Sequence, residues 1–277
     1  MAANMIAQNK KEFEVKKTHL YSDFNVLESG DKTKTMILFL HGAGSDNEMW
    51  NNHIKDLESE YYCIAPDLPG HGGSNHLYWS SIEQVGEELV SLIKNKTQKK
   101  IVLVGFSLGG SLAFYLLENH PYLVEKAVID GASARPVKGN AFIIQLMSPF
   151  LKSDFILNLM AKSLEIKKSE RASFKRSFKM VDRESFKKSM VQANQFNFKK
   201  NEFIKTIPVL FASGEKESEV MHNSHIELSK LNKKNKCVQY PAKGHAWMVF
   251  DIETHIAMIS NWINNKRELP GKLKIIN

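Results

Sequence analysis

Cysteine is scarce in this 277-residue sequence, which holds only Cys63 and Cys237. There is no Cys-x-x-Cys pair and no ligand spacing typical of zinc, so we expect neither a structural metal site nor a disulfide framework. Each cysteine lies in an apolar run that is typical of a strand, where a thiol behaves as a small buried hydrophobe. The sequence therefore predicts two buried thiols and no metal.

Long apolar runs are also missing. No uninterrupted hydrophobic stretch reaches the roughly 18 residues that indicate a transmembrane helix, so we expect no membrane span. Residues 1–17 are polar and lysine-rich, and they lack the apolar core of a secretory signal peptide. With 43% hydrophobic and 25% charged residues, the composition is that of a globular protein, and we expect a cytoplasmic one.

The positive charge is confined to one segment of the chain. The formal net charge is +8, and residues 136–205 contain 12 lysines and 3 arginines against 2 aspartates and 4 glutamates. The remainder of the chain is therefore close to neutral. A basic segment without a recognition motif gives little support to nucleic-acid binding, which we do not expect.

Predicted strands and helices alternate between residues 36 and 131. Apolar runs at 36–40, 61–65, 101–104 and 127–131 favour strands, and a helix with an apolar stripe is predicted at 81–94. Strands resume at 208–213 and 237–240, and short edge strands are predicted at 12–15 and 19–26. This alternation predicts an α/β fold with a mostly parallel sheet covered by helices on both faces.

Residues with potentially catalytic side chains directly follow several predicted strands. His41, Asp67, Ser107 and Asp130 each stand at the carboxyl end of a strand. Because the carboxyl ends of parallel strands meet at one edge of the sheet, we expect these residues to lie close together.

Ser107 lies in the motif Gly105-Phe106-Ser107-Leu108-Gly109, between a predicted strand and a predicted helix. A sharp turn at that point would hold the hydroxyl clear of the backbone, and the two glycines would leave room for it. The following helix would also direct free N–H groups and the positive end of its dipole toward Ser107. This context favours a nucleophile.

Five segments together resemble the α/β-hydrolase fold family over roughly residues 18–265. They are His41-Gly42, residues 67–74, the Ser107 motif, residues 214–217 and Gly244-His245. The resemblance implies a mostly parallel eight-stranded sheet flanked by helices. It also implies a core domain formed by residues 1–134 and 206–277, with residues 135–205 inserted as a helical cap.

The same resemblance implies a set of catalytic residues. Ser107 would be the nucleophile and His245 the general base. Glu217 stands where the family usually has an aspartate, and a glutamate is an accepted variant of the triad acid. Asp130 remains the alternative acid, with Glu215 and Glu219 as further candidates.

An oxyanion hole would be formed by the backbone N–H groups of Ala43 and Leu108. Phe106 and Trp247, next to the nucleophile and the base, would line an apolar substrate pocket, although either could equally serve in packing. No cofactor is implied.

The resulting hypothesis is a serine hydrolase that cleaves a small carboxylic ester through an acyl-enzyme. A thioesterase, a carbon–carbon bond hydrolase or a lyase could use the same triad, and a non-catalytic ligand-binding relative is a further alternative. The basic cap could steer an anionic substrate, attach loosely to an anionic membrane surface, or only present solvated lysines. The oligomeric state stays open between monomer and homodimer.

Overall fold

The computed structural model describes residues 24–137, 148–199, 202–265 and 268–276. The strands are β1 (Val26–Ser29), β2 (Met36–Leu40), β3 (Tyr62–Pro66), β4 (Ile101–Phe106), β5 (Val124–Asp130), β6 (Val209–Gly214), β7 (Lys236–Tyr240) and β8 (Lys274–Ile275). The helices are α1 (Asn51–Leu57), α2 (Ile82–Lys96), α3 (Leu108–Asn119), α4 (Asp154–Ser163), α5 (Arg171–Met180), α6 (Arg183–Gln195), α7 (Glu219–Ser229), α8 (Trp247–Phe250) and α9 (Ile252–Ile263).

All eight strands form one sheet in the order β1-β3-β2-β4-β5-β6-β7-β8. The six strands from β3 to β7 in that order pair in parallel, and β1 and β8 add antiparallel edges. The predicted mostly parallel, eight-stranded α/β sheet is therefore confirmed.

The central strands are apolar on both faces because helices cover both sides of the sheet. Every residue of β2, β3, β4 and β6 is buried. One apolar cluster joins α2 and α3 to one face, and a second joins α1 and α9 to the other. Near-continuous hydrophobic strands are what a doubly covered parallel sheet requires.

Several element boundaries differ from the sequence prediction. The segment after β2 forms a 3-10 turn over Asn47–Trp50 before α1 starts. β5 begins at Val124, earlier than expected, because Lys126 is accommodated in the strand by donating its ammonium protons to the carbonyls of Trp262 and Ile263. The strand predicted at 12–15 and most of the one predicted at 19–26 lie outside the described residues.

The chain between β5 and β6 is helical where the structure describes it, with α4, α5 and α6 and no strand among residues 148–199 and 202–205. We call α4, α5 and α6 with their connections the helical insertion. It is fixed to the core: Trp79 donates its backbone N–H to Ser185 Oγ over 3.0 Å, and its indole N–H to Gln192 Oε1 over 2.9 Å. The cap boundaries at 135 and 205 stay a prediction.

Cys63 in β3 and Cys237 in β7 are both buried, and burial raises the pKa of each thiol to about 12. Within the described ranges, no helix has the length and apolarity needed to cross a bilayer.

The loop after β2 packs closely against α5. Gly44 has φ +80°, and a Cβ built there would come within 2.1 Å of Phe178 Cζ. An alanine at this position would therefore combine an unfavourable left-handed backbone with a clash against a buried ring.

We expect Gly44→Ala to lower the free energy of unfolding by about 2–4 kcal/mol, since backbone strain and overpacking add. Urea denaturation followed by circular dichroism measures this change. Gly271→Ala is the matched control, because a Cβ there meets no atom within 4 Å. Equal stability of the two variants would contradict the close packing of the loop on α5.

Candidate active site

Ser107 stands on the turn between β4 and α3 with φ +53°, a left-handed conformation that is uncommon outside glycine. The turn is tight on both sides. A Cβ at Gly105 would lie 2.5 Å from the carbonyl oxygen of Gly109, and a Cβ at Gly109 would lie 2.2 Å from that of Leu40. The motif needs glycine at both positions, as the sequence indicated. The Ser107 backbone N–H donates to the carbonyl of Asp130 over 2.8 Å, which ties the turn to β5.

Three predicted residues from distant parts of the chain meet at this turn. His245 Nε2 lies 2.9 Å from Ser107 Oγ, and His245 Nδ1 lies 2.7 Å from Glu217 Oε1. Glu217 follows β6, and its side chain is only 11% exposed, whereas that of His245 is 32% exposed. A carboxylate on Nδ1 favours the tautomer that carries its proton there, which leaves Nε2 able to accept from the serine hydroxyl. The hydroxyl, the imidazole and the carboxylate thus form a continuous hydrogen-bonded chain.

The pKa of His245 reflects two opposed influences. Burial is the largest single one and disfavours the cation, but the charge and the hydrogen bond of Glu217, with a further contribution from Asp130, outweigh it. The pKa therefore lies above its ordinary value of 6.5. Glu217 therefore favours the imidazolium that forms when His245 accepts a proton.

Asp130 lies at the end of β5 but does not contact His245. Its Oδ1 accepts from the indole N–H of Trp247 over 3.1 Å, and its Oδ2 lies 3.3 Å from His255 Nε2. The carboxylate is 2% exposed. Of the four acids considered from sequence, Glu217 is the one whose carboxylate is hydrogen-bonded to the imidazole, and Glu215 instead accepts from the Ala242 N–H.

The loop bearing Ala43 passes directly beside Ser107. A Cβ at Gly42 would lie 2.9 Å from Phe106 Cδ1 and 3.3 Å from Ser107 Cβ, so the backbone there passes close to both residues. Buried His41 holds this loop: Nε2 accepts from the Leu68 backbone N–H over 2.9 Å, and Nδ1 therefore donates to the Gly42 carbonyl over 2.8 Å. Burial lowers the pKa of His41 to about 4, so the ring stays neutral.

Leu108 is the first residue of α3, where backbone N–H groups have no partner within the helix. The Leu108 amide lies at the start of α3, directly after Ser107, and the Ala43 amide lies in the loop after β2 that passes beside Ser107. The geometry is compatible with the predicted pair of oxyanion donors.

Two chambers open on either side of Ser107. Chamber A has a volume of about 460 Å³ and is lined by apolar groups including Phe106, Phe174, Phe178, Met248 and Val249. Chamber B has a volume of about 370 Å³ and is lined on its apolar side by Leu108, Val137, Met190 and Met221. Both volumes fall in the range of small-molecule sites.

The two aromatic residues predicted for the pocket have different positions. Phe106 lines chamber A, with its ring centroid 5.0 Å from that of His245. Trp247 lines neither chamber: it is 1% exposed, stacks on Tyr240 and donates to Asp130. The prediction of Trp247 as a pocket residue was wrong, because the buried carboxylate holds its indole in the core.

Most of the chamber lining was not identified from sequence. Residues of the helical insertion such as Leu164, Phe174 and Met190 carry no motif, and their helical spacing indicated only packing. Among the described residues, no group of three or more His, Cys, Asp or Glu side chains is arranged to hold a metal ion.

A model of the alpha/beta hydrolase family matches residues 37–250 of the sequence, which include all the residues placed at this site. The chain belongs to the alpha/beta hydrolase family. The match extends over most of the sheet and both flanks of the helical insertion, so the resemblance noted from five short segments is confirmed.

Individual relatives are more distant. The chain is 31% identical over 99 residues to the pimeloyl-[acyl-carrier protein] methyl ester esterase of Vibrio vulnificus, a match that covers 36% of this chain and 37% of that protein. The chain thus spans little more than a third of the length of that curated relative.

Solved structures match over nearly the whole fold. The enol-lactonase from Burkholderia xenovorans superposes with a TM-score of 0.76 at 16% identity, covering 88% of this chain and 99% of that one. A thermophilic esterase from Thermogutta terrifontis gives a TM-score of 0.75 at 19% identity, covering 88% and 94%. At such identities the likeness supports the shared fold.

We expect Glu217→Gln to lower the pKa of His245 from above 6.5 to below it, because burial of the ring then outweighs the remaining attraction. The imidazolium of His245 should therefore lose its proton at a lower pH in the variant than in the wild type. An NMR titration of the His245 ring measures both values. Glu219→Gln, which removes an exposed charge nearby on α7, is the control and should leave the pKa unchanged.

Proposed function

We propose that this protein is a serine hydrolase that cleaves a carboxylic ester through an acyl-enzyme intermediate. The observation that carries the proposal is the chain of hydrogen bonds from Ser107 Oγ to His245 to Glu217, with contacts of 2.9 and 2.7 Å. These are the distances at which a base can take a proton from a nucleophile and a carboxylate can stabilise the resulting imidazolium.

The first half of the reaction follows from this geometry. Ser107 Oγ attacks the ester carbonyl carbon while His245 Nε2 accepts the hydroxyl proton. The tetrahedral intermediate collapses when the bond to the alkoxy oxygen breaks, and His245 returns the proton to the departing alcohol. Glu217 stays ionised throughout and stabilises the imidazolium.

Deacylation repeats the same steps with water as the nucleophile, and it releases the carboxylic acid and free Ser107. His245 must be neutral to act as the base in both halves. Because its pKa is raised, kcat/KM should increase with pH through a limb centred above 6.5.

The backbone N–H groups of Ala43 and Leu108 are proposed as the donors to the oxyanion. The left-handed turn at Ser107 directs the amino end of α3 at the site, and the dipole of α3 favours negative charge there. Loss of one such donor typically raises the barrier by about 2.7–4 kcal/mol.

The two chambers support an ester with apolar groups on both its acyl and its alcohol side. Within the described lining of chambers A and B there is no lysine or arginine. The positive charge of the helical insertion therefore lies outside the chambers, and the charged side chains that line chamber A are the acidic Asp46, Glu48 and Glu170. An anionic substrate would be attracted by long-range steering and not by a direct ion pair. Steering stays a prediction.

We also propose that the helical insertion serves as the cap of the site. Its residues Phe174 and Phe178 line chamber A, and Met190 lines chamber B. A cap of this kind excludes water from the intermediate. The similar protein from Vibrio vulnificus is a methyl ester esterase, which adds support for ester cleavage.

A fluorophosphonate probe should label the wild-type protein on Ser107 and should not label Ser107→Ala. Intact-protein and peptide mass spectrometry measure the adduct and its position. Ser111→Ala, which removes a buried hydroxyl one turn further along α3, is the control and should keep its labelling. Labelling of Ser107→Ala at an equal rate would exclude Ser107 as the nucleophile.

Glu217→Gln should reduce kcat for a reactive ester by about 10³–10⁴-fold, because the amide no longer stabilises the imidazolium. Asp130→Asn should leave kcat within about one decade, since Asp130 contacts Trp247 and not His245. Steady-state hydrolysis of a panel of oxygen esters and thioesters measures both effects. The opposite pattern would reassign the acid to Asp130.

A further inference from the structure

Leu164 borders both chambers of the candidate active site. Of the described residues, three line both chamber A and chamber B: Ser107, His245 and Leu164. The first two are the proposed nucleophile and base. Leu164 comes from the helical insertion, at the C-cap of α4, so it borders both chambers from the side of the insertion.

The backbone around Leu164 is fixed by a helix-ending turn. The Ile166 N–H donates to the Ala161 carbonyl over 2.8 Å, and the Glu165 N–H donates to the Lys162 carbonyl over 3.1 Å. This pair of hydrogen bonds is the Schellman motif, which requires a left-handed residue in the position of Glu165. Glu165 accordingly has φ +55°, and both Ile166 and Ala161 are buried beneath the turn. Leu164 is thus held at the C-cap of α4 by a defined motif.

A glutamate in this position departs from the glycine that the motif favours, and its side chain makes contacts that glycine could not. The carboxylate lies 2.8 Å from Lys243 Nζ and 3.6 Å from Lys216 Nζ. Lys216 directly precedes Glu217, and Lys243 is two residues before His245. The Lys216 N–H also donates to the Lys243 carbonyl over 2.8 Å. Glu165 therefore links the turn that carries Leu164 to both loops that carry the base and the acid.

We propose that Leu164 is a specificity-determining residue that partitions the site, so that the acyl and alcohol groups of an ester enter separate chambers. The proposal rests on the proposed function.

The partition defines a substrate class. An ester bound at Ser107 must extend one apolar arm into chamber A and the other into chamber B, with Leu164 close to the carbon atoms that flank the ester group. Linear arms satisfy this arrangement. A branch on the carbon next to the carbonyl would meet the Leu164 side chain, so the favoured substrates are unbranched at that carbon.

Leu164→Ala tests the partition with butyl hexanoate and butyl 2-methylhexanoate as substrates. Shortening the side chain should raise the ratio of kcat/KM for the branched ester to that for the linear ester by about tenfold over wild type. Leu159→Ala is the matched control: Leu159 lies on the same helix, is 54% exposed and lines neither chamber. An unchanged ratio in Leu164→Ala, or an equal change in Leu159→Ala, would overturn the proposal.

A second measurement separates this proposal from the proposed function. N-butyl hexanamide and N-butyl 2-methylhexanamide resemble the two esters, and calorimetry gives their dissociation constants with Ser107→Ala and with Ser107→Ala combined with Leu164→Ala. The branched amide should gain about tenfold in relative affinity in the double variant. If the wild type cleaves no ester while the amides show this gain, the proposed function fails and the partition stands. If esters are cleaved and neither ratio changes, the partition fails alone.

Discussion

The left-handed backbone of Ser107 is the constraint on which the rest of the site depends. This conformation is maintained because Ser107 connects the fully buried strand β4 to α3. The Asp130 carbonyl also accepts the Ser107 N–H. A single residue held in this conformation stores strain that the surrounding packing must over-determine. The glycines around it follow from the same requirement, since side chains at 105 or 109 would collide with backbone. The position of the Ser107 hydroxyl is therefore determined by the sheet.

The fold and the core of the site could be predicted from the sequence because their signals are local. Apolar runs mark the parallel strands, and Ser107, Glu217 and His245 each lie within five residues of the end of a strand. Strand ends converge in any parallel sheet, so proximity in space could be inferred without coordinates. The two-residue strand β8 and the early start of β5 were missed, since neither has a hydrophobic pattern of its own.

The substrate-facing surface could not be predicted, for a physical reason. The position of Leu164 depends on where α4 ends relative to Ser107. Tertiary contacts determine that position, and no sequence motif indicates it. Trp247 is a second residue whose position could not be predicted from the sequence. Its position beside His245 favoured the pocket, but the indole is held in the core by Asp130 and Tyr240. An adjacent residue in sequence can point away from a site, and a residue of a separate helix can complete it.

The short antiparallel strands at the two edges of the sheet affect how readily the protein aggregates at high concentration. A parallel strand with an open edge offers unpaired N–H and C=O groups to any neighbouring molecule. β1 covers the edge of β3 with four residues, whereas β8 covers β7 with Lys274 and Ile275, and the next residue, Ile276, donates its N–H to the Cys237 carbonyl over 2.8 Å. The outer edge of β7 is thus covered by a shorter strand than the outer edge of β3. Loss of the pairing between β7 and β8 would expose a template for intermolecular strand pairing, so colloidal stability is tied to a strand pair outside the candidate active site.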